Sequence, residues 1–152
     1  MLGTRAGGRN CDVACVFIER ALGTAFALWR CMSDGFRRLV AWQWAREYKR
    51  AVYALASTQA VARDRHYAEH LRRTAASVEL NIVEGYHRSS QRDFARFLTI
   101  ARASLAEVEV QLEDGIDRGY FAAEDLADTN RLARRLVPAL MGLRRWLLRR
   151  PS

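Results

Sequence analysis

The amino-acid sequence predicts an all-α protein that folds as an antiparallel up-and-down four-helix bundle. From Phe36 onward, apolar residues recur every three or four positions in successive segments, as they do along one face of a helix. Short breaks separate these segments, and none of them alternates apolar and polar residues in the way that strands do. Amphipathic helices joined by short connections bury their apolar faces against one another in a bundle.

The first predicted helix and the break after it are defined by an apolar stripe and a capping residue. The stripe consists of Ala41, Ala45, Tyr48, Val52 and Leu55. Trp42 and Trp44 flank this stripe on other faces of the helix. Ser57 and Thr58 end the pattern, and Asp64 has a side chain that can cap the next helix.

The second predicted helix runs from about Arg65 to Gly85. Its apolar stripe consists of Leu71, Ala75, Val78 and Ile82. Gly85 is expected to stop the helix, because glycine is common just beyond a helix C-terminus. After a tight turn, Ser90 and Asp93 have the spacing of a capping box that starts the third helix.

The third and fourth predicted helices complete the bundle. The third is about 25 residues long, or roughly 38 Å, and its stripe consists of Phe94, Leu98, Ala101, Leu105, Val108, Leu112 and Ile116. A break at residues 118–121 precedes the fourth helix, where Glu124 and Asp125 suit the positive end of the helix dipole. The stripe of the fourth helix consists of Leu126, Ala133, Leu136, Leu140, Leu143 and Leu147. Pro138 falls on the opposite face and is expected to kink this helix rather than end it.

Residues 1–31 do not follow the bundle pattern. We expect them to be an N-terminal extension, with the four-helix bundle domain at residues 32–150 and Met32 as a hypothetical true start. Cys11, Cys15 and Cys31 are odd in number and confined to this extension, which indicates free thiols rather than a disulfide scaffold. Because no apolar run reaches the roughly 20 residues of a membrane span, we expect a cytoplasmic protein without a membrane segment.

The net charge of +8 is unevenly distributed along the 152 residues. Residues 107–130 contain eight acids and only Arg118 as a base, whereas residues 131–152 contain seven arginines and no acid. This polarity suits a head-to-tail assembly or an anionic partner, while a solvated charged helix face is the simpler explanation.

Two groups of arginines are candidate nucleic-acid contacts. The first lies on the fourth predicted helix, away from its leucine stripe or on the flanks, and consists of Arg131, Arg134, Arg135, Arg144, Arg145, Arg149 and Arg150. The second surrounds the turn between the second and third helices and consists of Arg88, Arg92 and Arg96. Guanidinium groups bind phosphate in a salt-dependent, sequence-independent way. Solubility and ion pairing with residues 107–130 explain the same arginines equally well.

Two polar stripes border the apolar stripes of adjacent helices. On the second helix, Thr74 and Arg88 lie at the ends of a stripe that contains Ser77, Asn81 and Glu84. The third helix offers Ser104, Glu107 and Gln111. Because buried polar groups need partners, we expect these side chains to form a structural network between the helices rather than a catalytic site.

Two short motifs resemble metal sites, and neither has a suitable context. His66, Glu69 and His70 match the H-x-x-E-H motif of a zinc-dependent hydrolase, but no third ligand is evident. Glu84 and His87 match the Glu-x-x-His unit of di-iron bundles, which requires a second copy that the sequence lacks. We therefore expect no metal, no cofactor and no catalytic residue.

Residues 36 to about 148 resemble a family of small bacterial four-helix bundle proteins, first noticed as products of intervening sequences in 23S ribosomal RNA genes. The resemblance lies in the segments LVAWQWAREYKRAVYAL and HLRRTAASVELNIVEGYHRSSQRDFARFLTIARASLAEVEVQLEDGIDRGYF. Within them it is carried by Ser77, Asn81, Glu84, Gly85, Phe97, Leu98, Ala101, Ser104, Glu107 and Gln111. The sequence departs from the family at Glu79, where proline is usual, at residues 59–61, where Phe-Pro is usual, and at His70, where glutamine is usual.

The resemblance implies a homopentamer without an established enzyme activity. A related branch is similar to accessory proteins of diversity-generating retroelements, which bind nucleic acid and a reverse transcriptase through a basic surface. We therefore expect a non-enzymatic oligomeric scaffold, with RNA or DNA as the anionic partner and a reverse transcriptase as a further partner in a retroelement setting. The alternative function is a protein-interaction module that does not bind nucleic acid.

Overall fold

The computed structural model describes residues 35–149, which form five α-helices, two short 3-10 helices and no strand. The α-helices are α1 (Val40–Leu55), α2 (Gln59–Arg63), α3 (Arg65–Tyr86), α4 (Gln91–Asp117) and α5 (Ala127–Arg149). The 3-10 helices Gly35–Arg38 and Ala123–Leu126 precede α1 and α5. The prediction of an all-α fold is confirmed. The predicted N-terminal extension, Met32 and Arg150 lie outside the described residues.

The four long helices pack as a bundle in which each contacts the next along the chain and α5 returns to α1. Contacts between α1 and α3 show their relative direction. Lys49 pairs with Glu79, whereas Ala56 O, just beyond α1, accepts a 2.7 Å hydrogen bond from Arg72 Nη2. Because residue numbers rise along α1 as they fall along α3, these two helices run antiparallel. The same holds for α3 and α4, where Thr74 contacts Gln111 and Gly85 lies against Phe94, as the sequence predicts.

The apolar stripes form one continuous core. The predicted stripe of α3 and the central leucines of α4 and α5 are fully buried. A fully buried leucine typically contributes about 1.5–3 kcal/mol by leaving water. Leu55, Ile116 and Leu143, at or near the ends of their stripes, are only partly buried. Trp42 is buried although the sequence placed it outside the stripe, since its ring packs edge-on against Phe36 at 5.3 Å.

Two side-chain caps begin helices where the sequence predicts them. Asp64 Oδ1 accepts a hydrogen bond from Tyr67 N at 3.0 Å, and Ser90 Oγ accepts one from Asp93 N at 3.4 Å. Each cap provides a partner for a backbone N–H that the first turn of a helix cannot satisfy. The break before α3 is more structured than predicted, because it contains α2 with a fully buried Val61.

The second helix ends within one residue of the predicted position, at Tyr86. The role predicted for Gly85 is wrong, because this glycine lies inside α3 rather than ending it. A β-carbon at Gly85 would lie 2.7 Å from Phe94 Cδ2 and from Phe97 Cβ, so the glycine permits close packing of α3 against α4. A glycine does follow the end of the next helix, α4. Gly119 has a φ of 74°, and its backbone N–H donates a 2.8 Å hydrogen bond to Ile116 O.

Pro138 lies inside α5 with its side chain exposed, and the helix continues past it to Arg149. The prediction that this proline does not end the helix is confirmed. Its outward position keeps the ring away from the core, where the leucine stripe packs.

Candidate functional site

The antiparallel topology collects arginines at one end of the bundle. This basic end contains the turn before α1, the C-terminus of α3, the N-terminus of α4 and the C-terminus of α5. The Phe36 ring lies 6.3 Å from Tyr86, and Arg144 Nε donates a 3.1 Å hydrogen bond to Thr99 Oγ1, which joins α5 to α4. The arginines of the basic end are Arg37, Arg38, Arg88, Arg92, Arg96, Arg144, Arg145 and Arg149. The two arginine groups predicted separately from the sequence therefore partly converge.

The opposite end of the bundle is rich in carboxylates. This acidic end contains α2, the N-terminus of α3, the C-terminus of α4 and the start of α5. Its acids are Asp64, Glu113, Asp114, Asp117, Glu124, Asp125 and Asp128. Arginines are also present here, and two of them neutralise acids along the chain: Arg118 Nε lies 2.6 Å from Asp114 Oδ2, and Arg131 Nη2 lies 3.1 Å from Asp128 Oδ1.

The arginines of the basic end differ in how they are engaged. Arg88 pairs with Glu84 and lies over the Phe97 ring, 4.9 Å from its centre. Four exposed arginines of the basic end form no ion pair with any residue in 35–149, and we call them the unpaired arginines: Arg92, Arg96, Arg145 and Arg149. Exposed guanidinium groups without a carboxylate partner retain their full capacity to bind an anion.

The predicted arginine face of α5 is divided into two groups. Arg131 and Arg134 are exposed near the acidic end, with Arg135 over the Trp44 ring at 4.9 Å. The remaining described arginines of α5 lie at the basic end, and Pro138 separates the groups. Arg134 and Arg145 are eleven positions apart, so their α-carbons are separated by about 16 Å along the helix axis.

The predicted polar network joins α3 to α4 at one level. Gln111 Nε2 donates a 3.0 Å hydrogen bond to Thr74 Oγ1 and lies 3.4 Å from Glu107 Oε1. His70 Nε2 lies 3.8 Å from the same Glu107 oxygen. These contacts bring Glu107 and Gln111 together with α3, and Ser104 is buried one turn away.

The other predicted network residues bond along their own helix rather than across to α4. Ser77 Oγ donates to Thr74 O at 2.8 Å, and Asn81 Nδ2 donates to Ser77 O at 2.7 Å. Glu84 pairs with Arg88 one turn away. The expectation that these side chains reach α4 is not met, because carbonyl and guanidinium partners lie within easy reach on α3 itself.

The two metal-like motifs are not assembled into ligand sets. Glu69 pairs with Arg73 at 2.6 Å, and His66 is exposed. His87 packs against the Phe36 ring at 6.0 Å while Glu84 is paired elsewhere. Across residues 35–149, no group of three or more potential ligand side chains is arranged to hold a metal ion.

Sequence reasoning missed a tyrosine cluster at the acidic end. Tyr67 Oη donates to Gln111 O, and Tyr120 Oη donates a 2.9 Å hydrogen bond to Asp64 Oδ2. The two rings pack edge to face at 5.1 Å. The Tyr67 backbone N–H and then the Tyr120 hydroxyl hold the pKa of Asp64 below its usual range. Burial, followed by the charge of Asp114, raises the pKa of Tyr67 to about 12.

This cluster supports structure rather than acid–base catalysis. With its pKa raised, Tyr67 stays protonated and keeps donating, and the ionised Asp64 caps α3 while accepting from Tyr120. A general acid or base works best with a pKa near the operating pH, and these shifts run in the opposite direction. The signal for the cluster was the spacing of Asp64 and Tyr67 at the start of a helix.

A groove on the outer side of α1 is the second feature that the sequence did not predict. It has a volume of about 450 Å³ and is lined by Trp42, Gln43, Trp44, Arg46, Glu47 and Arg50. The segment WQWAREYKR, with aromatic and basic residues interleaved, was the available signal.

No helix in the described part of the chain has both the length and the apolar character needed to cross a membrane.

Comparisons with known proteins place the chain in a family. A search of curated proteins finds no match. Residues 37–142 match the family described as 23S rRNA-intervening sequence protein. This match covers most of the bundle and agrees with the resemblance seen in the sequence, and the chain therefore belongs to the 23S rRNA-intervening sequence protein family.

Proposed function

We propose that this protein is a non-enzymatic, oligomeric bundle of the cytoplasm that binds RNA or DNA phosphates through its basic end. The observation that carries the proposal is the gathering of the unpaired arginines at one end, while carboxylates occupy the other. Clustered guanidinium groups release counterions when they bind a polyanion, and this release favours binding at low salt.

The absence of an enzyme activity is part of the proposal. It is supported by the hydrogen bonds of the acidic end, where the Tyr67 hydroxyl donates to Gln111 O and the Tyr120 hydroxyl donates to Asp64. The pKa of Tyr67 is raised and that of Asp64 is lowered, so neither group exchanges a proton readily near pH 7.

Self-assembly, with a homopentamer as the expected state, is supported by apolar side chains on the outer sides of α3 and α4. Leu80 is 64% exposed, Val110 is 63% exposed and Ile100 is 37% exposed. Exposed apolar side chains on neighbouring helices favour contact with another protein surface. In a retroelement setting, a reverse transcriptase is a further proposed partner.

A double substitution at the basic end tests nucleic-acid binding. Arg92→Gln with Arg96→Gln removes two unpaired arginines from α4, and we expect weaker binding of a labelled RNA or DNA oligonucleotide. The slope of log affinity against log salt should fall by about 2, since each phosphate contact contributes about 1. The measurement is fluorescence anisotropy across a salt series, and the folded state of each variant is checked by circular dichroism.

A matched control keeps the change in net charge equal. Arg65→Gln with Arg73→Gln also removes two positive charges, but from α3 away from the basic end. We expect this control to retain most of the affinity. If the wild-type protein fails to bind either nucleic acid at low salt, the proposal is wrong, and an oligomer seen by light scattering would then favour the protein-interaction module.

A further inference from the structure

The groove on α1 lies between two tryptophans. Trp42 and Trp44 are two positions apart, and because successive residues of a helix are rotated by about 100°, they occupy opposite flanks of α1. Trp42 is buried, and Trp44 is partly buried. Gln43, Arg46 and Arg50 line the surface between them.

Each tryptophan holds an arginine by stacking. The Arg46 guanidinium lies 5.2 Å from the centre of the Trp42 ring, and the Arg135 guanidinium, from α5, lies 4.9 Å from the centre of the Trp44 ring. A guanidinium that packs on an aromatic face keeps its charge and its N–H donors. The stacking also restricts the side chain before any ligand arrives, which reduces the entropy lost on binding.

The charges around the groove favour an anion. Glu47 is the acid among the lining residues, and it pairs with Arg50 at 3.2 Å. Arg46 and Arg135 form no ion pair within residues 35–149, so the local charge is positive.

We infer that the groove binds a phosphodiester group of the nucleic-acid backbone. Arg46, stacked on Trp42, is the guanidinium donor in its lining, and Arg135, stacked on Trp44 beside the groove, is a second donor to the same strand. This inference rests on the proposed function and adds a phosphate contact on the α1–α5 side of the bundle. The contact is separate from the unpaired arginines, because Arg135 lies over the Trp44 ring of α1.

Single substitutions test the contact with a labelled single-stranded RNA of about 20 nucleotides, enough to span several phosphate contacts. Arg46→Gln and Arg135→Gln should each lower the affinity about tenfold at low salt and reduce the salt slope by about 1. Arg73→Gln is the matched control, because Arg73 is exposed on α3 and pairs with Glu69. It should change neither quantity appreciably.

Two charge-preserving variants test the stacking itself. Trp44→Leu and Arg135→Lys retain the net charge at the groove but remove the stacked pair. We expect each to lower the affinity while leaving the salt slope close to that of the wild type, since the number of charges is unchanged. Arg135→Lys provides this readout even where Trp44→Leu fails to fold, because residue 135 is exposed.

The outcomes separate this inference from the proposed function. Wild-type protein that binds neither this RNA nor a single-stranded DNA of the same length would overturn both. Binding that depends on Arg92 and Arg96, but with Arg46→Gln and Arg135→Gln indistinguishable from Arg73→Gln, would overturn the groove contact alone. Adenosine monophosphate provides the other source of phosphate. If its binding requires Arg46 while RNA binding does not, the groove serves a free nucleotide and the inference is wrong.

Discussion

The two ends of the bundle use charged residues differently. At the acidic end, Asp64 accepts hydrogen bonds from Tyr67 N and the Tyr120 hydroxyl, and Arg118 pairs with Asp114. At the basic end, the unpaired arginines have no carboxylate partner within residues 35–149. Asp64 and Asp114 at the acidic end therefore use their charges within the fold, whereas the unpaired arginines at the basic end remain free to bind an anion.

The difference also extends to packing. At the acidic end Gly115 lets the Tyr67 and Phe121 rings approach the backbone of α4, and both rings are more than nine-tenths buried. Polar bonds and ring packing therefore reinforce each other in one place. At the basic end the side chains of Arg145 and Arg149 extend from the last turns of α5 without comparable restraint.

The largest expected effect comes from breaking the packing of the acidic end with Gly115→Ala. The new β-carbon would lie 2.5 Å from Phe121 Cε2 and also too close to Tyr67 Oη, so both rings would have to move. We expect the free energy of unfolding to fall by about 2–3 kcal/mol, as overpacking typically does. Urea denaturation followed by circular dichroism measures this loss.

Gly142→Ala is the matched control on α5. A β-carbon there meets nothing within 4 Å, and alanine favours a helix over glycine by about 1 kcal/mol. This variant should therefore be as stable as the wild type or more so. Equal destabilisation by the two substitutions would contradict the role assigned to the tyrosine cluster.

A smaller effect should appear in the pH dependence of Asp64→Asn. Because the pKa of Asp64 is lowered in the folded protein, its carboxylate stabilises the fold above the ordinary unfolded value of about 3.9. This stabilisation is lost as pH falls through the lowered folded pKa. The stability difference between wild type and variant should be constant near neutrality and shrink on acidification below about pH 4.

Urea midpoints of both proteins across this pH range provide the measurement. Subtracting the stability of the variant from that of the wild type at each pH cancels the contribution of the other acids, which titrate in both proteins. A difference that stays constant down to the acid limit of folding would mean that the charge of Asp64 does not stabilise α3 or the contact with Tyr120.

The smallest expected effect on stability comes from the basic end. Arg145→Gln with Arg149→Gln removes two unpaired arginines, and the free energy of unfolding should change by less than about 0.5 kcal/mol, as is usual for exposed sites. Nucleic-acid affinity should fall nonetheless. A large loss of stability, measured by the same urea titration, would show that these arginines serve the fold and would remove the contrast between the ends.

Much of the fold could be predicted because its signals are local. The stripes of α3 and α4 repeat at helical spacing, and Asp64 and Ser90 have capping side chains at the right positions. The short α2 could not be predicted, since five residues are too few to show a period. Gly85 was misassigned because its role depends on Phe94 and Phe97, which approach it only after α3 and α4 pack.

The candidate site was only partly predictable for the same reason. The arginines were visible in the sequence, but their engagement depends on neighbours in space: Arg131 pairs with Asp128, and Arg135 stacks on Trp44. Helical periodicity does not determine whether the Asn81 side chain bonds to α4 or to its own helix. In the structure it donates to Ser77 O on α3.

The up-and-down topology has a kinetic consequence. Because successive helices reverse direction, the acids near the end of α4 and the arginines near the end of α5 are placed at opposite poles, which gives the molecule a permanent electric dipole. The field of a polyanion exerts a torque on this dipole and turns the basic end toward the polyanion during diffusion, before any contact forms. Productive collisions then become more frequent at low ionic strength, and the advantage fades as the Debye length shortens.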